Sequence, residues 1–141
     1  MLKKDTLSHY KEVYQIEWAN TLPENCPPED ILVPENEEFY RLLTHKDKIV
    51  EKDWKTYIEL FPDKEYFGDN LLMANGLSIL KDIDVNVLKL PQYKRFKGIA
   101  RLILNPTDGV VKKTYGANHY TLWRTTFFDE SSAEIVSNEK D

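Results

Sequence analysis

Hydrophobic positions in this chain follow two periods, helical toward the N-terminus and alternating toward the C-terminus. Leu7, Tyr10, Val13, Tyr14 and Trp18 fall on a helical stripe with Ser8 as N-cap, which predicts a helix ending near residues 18–20. Over 51–61, Trp54, Ile58 and Phe61 recur at i, i+4 and i+7 with Tyr57 beside them. That spacing predicts a second helix with these three side chains in the core, ended by Pro62. Residues 69–74 read as a helical turn, and Asp82 as the N-cap of a short helix over 83–90 stopped by Pro91.

Strand signals dominate elsewhere. Residues 37–44 alternate, with Phe39, Arg41 and Leu43 on one face and a short helix as the alternative. Strands are predicted near 76–81, 98–104 and 110–115, the last two joined as a hairpin by the turn residues Asn105-Pro106-Thr107-Asp108-Gly109. Residues 118–128 are rich in β-branched and aromatic side chains. They read as a long strand with His119, Thr121, Trp123, Thr125 and Phe127 on one face.

Pro23, Pro27, Pro28 and Pro34 predict an ordered but irregular arm over 21–36, pinned by Ile31, Leu32 and Val33. The expected fold is therefore α+β: one compact domain over 1–130, an antiparallel sheet with helices on one face and a Pro-rich N-terminal arm. Residues 131–141 read as a polar tail with at most a short strand at 134–136.

At 141 residues, 41% hydrophobic and 12% aromatic, the chain can bury a single core. One cysteine rules out an internal disulfide, and His9, His45 and His119 are too scattered for metal-ligand spacing, so no metal or cofactor is expected. Neither a signal-peptide run nor a membrane-length apolar stretch is present, which places the expected address in the cytoplasm and away from membranes. The net charge of −5 is uneven, for residues 88–124 hold eight basic side chains against the single acid Asp108. Either an anion-facing side or an acidic half packed beside a basic half accounts for this.

No G-x-G-x-x-G, phosphate-loop or G-x-S-x-G motif occurs. Cys26, flanked by Glu24, Glu29 and Asp30, reads as structural, since nearby acids raise a thiol pKa. Tyr93-Lys94-Arg95-Phe96-Lys97 interleaves aromatics with cations, a pattern that can stack bases and neutralise phosphates. The richest segment is 118–124, where His119, Thr121 and Trp123 offer a polar-aromatic strand face and Arg124 a cation. With Lys112, and with Arg41 and Ser78 from earlier strands, these seven form the candidate ligand-binding set.

Arg41 in Phe39-Tyr40-Arg41, Ser78 in Gly76-Leu77-Ser78 and His119 on the last strand together resemble the ADP-ribosyltransferase-like folds. The resemblance implies a cleft for a nucleotide-like substrate. It departs from the family in lacking a late-strand glutamate, with only Asp129 and Glu130 at the strand's end. The leading expectation is a binding module that recognises a partner protein or small anionic ligand. The alternatives are an enzyme acting on a nucleotide-like substrate and a nucleic-acid binder through 93–124.

Overall fold

A computed structural model describes residues 1–84 and 86–136. Eight strands form one sheet: β1 (Lys3–Thr6), β2 (Asp30–Val33), β3 (Glu37–Leu43), β4 (Leu77–Leu80), β5 (Gly98–Leu104), β6 (Gly109–Tyr115), β7 (His119–Arg124) and β8 (Glu134–Val136). Three helices accompany them: α1 (Leu7–Tyr14), α2 (Tyr57–Leu60) and α3 (Asp69–Ala74). The strand order is β1-β2-β6-β7-β4-β3-β5-β8, with every pairing antiparallel. The architecture is a single α+β domain.

The sheet is strongly rolled. Leu32 of β2 packs against the same apolar cluster as Leu102 and Leu104 of β5. Those strands stand five places apart in the order, which would be about 24 Å across a flat sheet. Phe39, Leu77, Ile79, Tyr120 and Leu122 fill the space the roll encloses. On the opposite face, Tyr10 of α1 packs with Ile31, Val33, Val110 and Trp123. A third cluster gathers Leu42, Leu80, Val87 and Ile99.

The roll explains why the predicted hairpin does not form. β5 pairs with β3 and β8, and β6 with β2 and β7. The link between β5 and β6 is a single 3-10 turn, Pro106–Asp108, closed by Asp108 accepting from the Asn105 backbone N–H at 2.7 Å. A link that short reaches across only because the curl brings the two strand ends together.

The helix predicted over 51–61 is broken. A 3-10 turn, Glu51–Trp54, is followed by extended Lys55, and α2 starts afresh. Thr56 and Glu59 form a capping box at that restart: the Thr56 N–H donates to Glu59 at 3.0 Å and the Glu59 N–H to Thr56 Oγ1 at 3.4 Å. Trp54 is buried, Ile58 half-buried and Phe61 exposed, so the three do not share a core-facing stripe.

Other boundaries shift as well. Thr6 caps α1, Ser8 bonds Glu29 instead, and Gln15 in a left-handed conformation ends the helix early. Asp82 starts no helix; its N–H donates to the Asn118 side chain, and two 3-10 turns follow at Val87–Lys89 and Pro91–Tyr93. β7 stops at Arg124, leaving Phe127 exposed. Within the proline-rich stretch, Asp30–Val33 forms a strand that buries Ile31 and Val33. β8 pairs with β5, while residues 137–141 of the expected tail lie outside the described residues.

Candidate functional site

The strand order places β7, β4 and β3 side by side. In register, Ser78 faces Thr121 and Leu80 faces His119. Side chains alternate along a strand, so Ser78, Thr121 and His119 project opposite to Leu77, Ile79, Tyr120 and Leu122. Gly76 enters β4 pressed against β7: a Cβ there would lie 2.4 Å from Thr121 Cγ2. Above this polar face opens a cavity of about 600 Å³, with Ser78 and His119 in its floor. Tyr57, Phe61, Lys64, Glu65 and Tyr66 line it from the α2 region, Asn70 and Met73 from α3. Arg95 and Tyr115 complete the rim.

The aromatic rim groups and Arg95 are braced. The Tyr66 hydroxyl lies 3.2 Å from the Tyr57 carbonyl and 3.1 Å from the Phe61 carbonyl, which ties the end of α2 to the loop after it. The Tyr57 and Phe61 rings lie nearly parallel, 25° apart at 6.1 Å. The Arg95 guanidinium donates to the Tyr57 hydroxyl and lies 4.8 Å from the Phe96 ring centroid and 5.8 Å from that of Tyr57. Among the described residues no carboxylate pairs with Arg95 or Lys64. Tyr115 meets His119 edge to face at 6.1 Å.

Arg41 sits behind the floor. β3 and β4 share one register pair, Tyr40 with Leu80. Beyond it Arg41 fills the interval, donating Nη1 to the Ser78 carbonyl at 2.8 Å and Nε to the Asp53 carbonyl at 3.0 Å. Enclosure of the guanidinium pushes its pKa down to about 10, with the Asp53 carboxylate opposing the shift. His119 Nδ1 lies 3.0 Å from Thr114 Oγ1, which lies 2.9 Å from Thr121 Oγ1. Burial, then the Arg41 charge, holds the imidazole below its ordinary pKa and favours the neutral ring.

Ser78 and His119 therefore share the cavity floor, whereas Arg41 reaches only the Ser78 backbone carbonyl from behind it. Thr121 is fully buried beside them and is satisfied by Thr114. Of the seven candidates only Ser78 and His119 line the cavity, and Trp123, Arg124 and Lys112 lie farther off. The Trp123 indole donates to the Leu72 carbonyl at 3.2 Å within the α1 cluster. Arg124 is buried against Glu130 and Asn20, and Lys112 pairs with Asp30 at 2.8 Å. Arg101 is likewise paired, with Glu38 and Glu134. Three of the eight basic side chains of residues 88–124, Arg101, Lys112 and Arg124, are thus paired with acids from other parts of the chain. Cys26 is buried with Tyr10 and Trp123, and burial pushes its thiol up to about 11.

The arrangement lacks the parts of a nucleophilic site. His119 Nδ1 is engaged by Thr114, and no hydrogen bond joins His119 to Ser78 among the described residues. β7 contains no acid; Asp129 bonds Ser131, and Glu130 bonds Arg124. No group of three or more His, Cys, Asp or Glu among the described residues is placed to hold a metal ion. No helix there is long and apolar enough to cross a membrane. A smaller hollow of about 280 Å³ beside α1 has two of its cations already paired, Lys3 with Glu35 and His9 with Asp5.

Sequence reasoning missed most of the rim. Arg95 lay in the interleaved 93–97 segment, whereas Tyr57, Phe61 and Tyr115 carried no signal except as apolar positions. The chain matches no protein-family profile, no curated protein and no solved structure.

Proposed function

We propose that this protein is a cytoplasmic binding module that holds a small anionic ligand in the cavity bounded by α2, α3 and the His119 end of β7. The observation that carries this reading is the charge around an aromatic-walled opening. Lys64 and Arg95 line it, and Arg41 stands behind Ser78, against Glu65 as the only lining acid among the described residues. Arg95 is already fixed by Tyr57 and Phe96, so little side-chain freedom is lost when an anion binds. A concave cavity of about 600 Å³ lies within the range of small-molecule sites, ~300–1,000 Å³, and this favours a small ligand over a protein surface. Among the described residues no hydrogen bond joins His119 to Ser78, which favours binding over covalent catalysis.

Calorimetric titration of the full chain with ribose 5-phosphate tests the reading. Expected are saturable binding, weakening with added salt as charge pairing requires, and an affinity loss of roughly tenfold or more in Arg95→Gln, consistent with one charge-assisted hydrogen bond. Equal affinity in Arg95→Gln, or an affinity that does not change with salt, refutes it.

A further inference from the structure

We infer that the anion taken by this cavity carries a planar aromatic ring. The inference rests on the anion-binding reading above and adds the other half of the ligand. A tetrahedral oxyanion alone does not account for the space. The cavity measures about 600 Å³, and such an anion occupies only a few water volumes of ~30 Å³ each.

Among the side chains that line the cavity are aromatic rings from two separate elements, beside Asn70, Met73 and Ala74. Tyr57 and Phe61 present near-parallel rings from the α2 segment, and Tyr115 stands at the end of β6. Phe61 is 52% exposed and Tyr115 71% exposed, although both border a cavity. Single exposed aromatics are ordinary on a protein surface. Rings from two elements around one opening, next to a guanidinium held over two ring faces, form a stacking platform. Cations beside such a platform suit a ligand whose flat apolar part and charged part are joined, the chemistry shared by mononucleotides and aromatic acids. His119 adds an edge at the floor, with Nε2 making no hydrogen bond among the described residues and so able to meet a polar group of the ring or its substituent.

The experiment titrates the full chain by calorimetry with two matched pairs. Adenosine 5′-monophosphate is set against ribose 5-phosphate, and 2-naphthoate against acetate, with adenosine as the ring without charge. The expected result is that at least one ring-bearing anion binds tenfold or more tighter than its ring-free partner, ~1.4 kcal/mol. Phe61→Ala and Tyr115→Ala, both at exposed positions and each checked for an unchanged melting curve, should shrink that ratio toward one. Which pair shows the larger ratio distinguishes a nucleotide from an aromatic acid. Equal binding of ring-bearing and ring-free anions overturns the ring inference and leaves the anion reading standing. Adenosine binding as tightly as its monophosphate overturns the anion reading. Absence of binding by every probe overturns both.

Discussion

Replacing Asp53 with alanine tests how the cation behind the cavity is held. Asp53 is 3% exposed. Its Oδ1 accepts from the Thr44 N–H at 3.1 Å and the Thr44 hydroxyl at 3.0 Å, and Oδ2 from the Val50 N–H at 2.9 Å. Its carbonyl accepts from Arg41 Nε, and its charge supports the charged guanidinium. Hydrogen bonds to an ionised group are each worth about 1.5–3 kcal/mol net, so three of them exceed a typical single-site effect. Thr44 and Val50 are only half-buried, however, and water recovers part of that loss. The Arg41 guanidinium meets the Asp53 carbonyl, which alanine keeps, so loss of the carboxylate removes only a longer-range support for that charge and adds modestly to the cost. The balance gives a destabilisation of roughly 3 kcal/mol, or a drop in melting temperature of about 10 °C at this chain length.

Urea denaturation followed by tryptophan fluorescence measures it directly. Asp53→Asn, which keeps the shape and one acceptor oxygen, should fall between wild type and Asp53→Ala. A loss below ~1 kcal/mol in Asp53→Ala would show that the 44–53 loop is held by other contacts and that Arg41 does not depend on it.

Two further measurements bear on the fold and the floor of the site. Trp54→Ala should cost roughly 3–5 kcal/mol in the same assay, whereas Phe61→Ala should stay within ~0.5 kcal/mol, because Trp54 is buried and Phe61 exposed; equal losses would restore the continuous helix. In an NMR titration, His9 should titrate above 6.5, held up by its bond to Asp5, and His119 below 6.5, held down by burial. The His9 contribution to stability is then present below 6.5 and fades as pH rises through the folded pKa. The unfolded chain binds a proton at His119 first, so that contribution to stability falls as pH drops through 6.5. The reverse order of the two resonances would refute both assignments.

The alternating segments of the central sheet were legible because each half-buried strand repeats a two-residue pattern: Phe39 and Leu43 on β3, Leu77 and Ile79 on β4, Tyr120 and Leu122 on β7. β1 was not legible, since Lys3-Lys4-Asp5-Thr6 joins the edge through backbone pairing to β2 and buries almost no apolar side chain. Pairing was misread at residues 105–109, where a strong turn suggested adjacent strands. A turn reports only that the chain reverses locally; which strands become neighbours depends on how far the whole sheet curls. The 51–61 stripe was over-read for a different reason. Thr56 and Glu59 have the spacing of a helix start, and that local signal outweighs an apolar repeat built from Trp54, Ile58 and Phe61.

The site was legible only in part, because a residue's type does not say where its hydrogen bonds go. Arg41 and Arg95 are the same side chain in one chain and carry opposite duties. Carbonyls of Ser78 and Asp53 take donors of the enclosed Arg41 guanidinium. It therefore acts on the cavity as a fixed field, felt by His119 as a lowered proton affinity. Arg95 lies against ring faces and a hydroxyl, which orient it without neutralising it, so its charge remains for a ligand to meet. The resemblance to ADP-ribosyltransferase-like folds singled out Arg41, whose neighbour Tyr40 is the β3 residue in register with Leu80. Arg95 owes its place at the cavity to a loop that no period describes, and the anion-binding proposal rests on its charge for that reason.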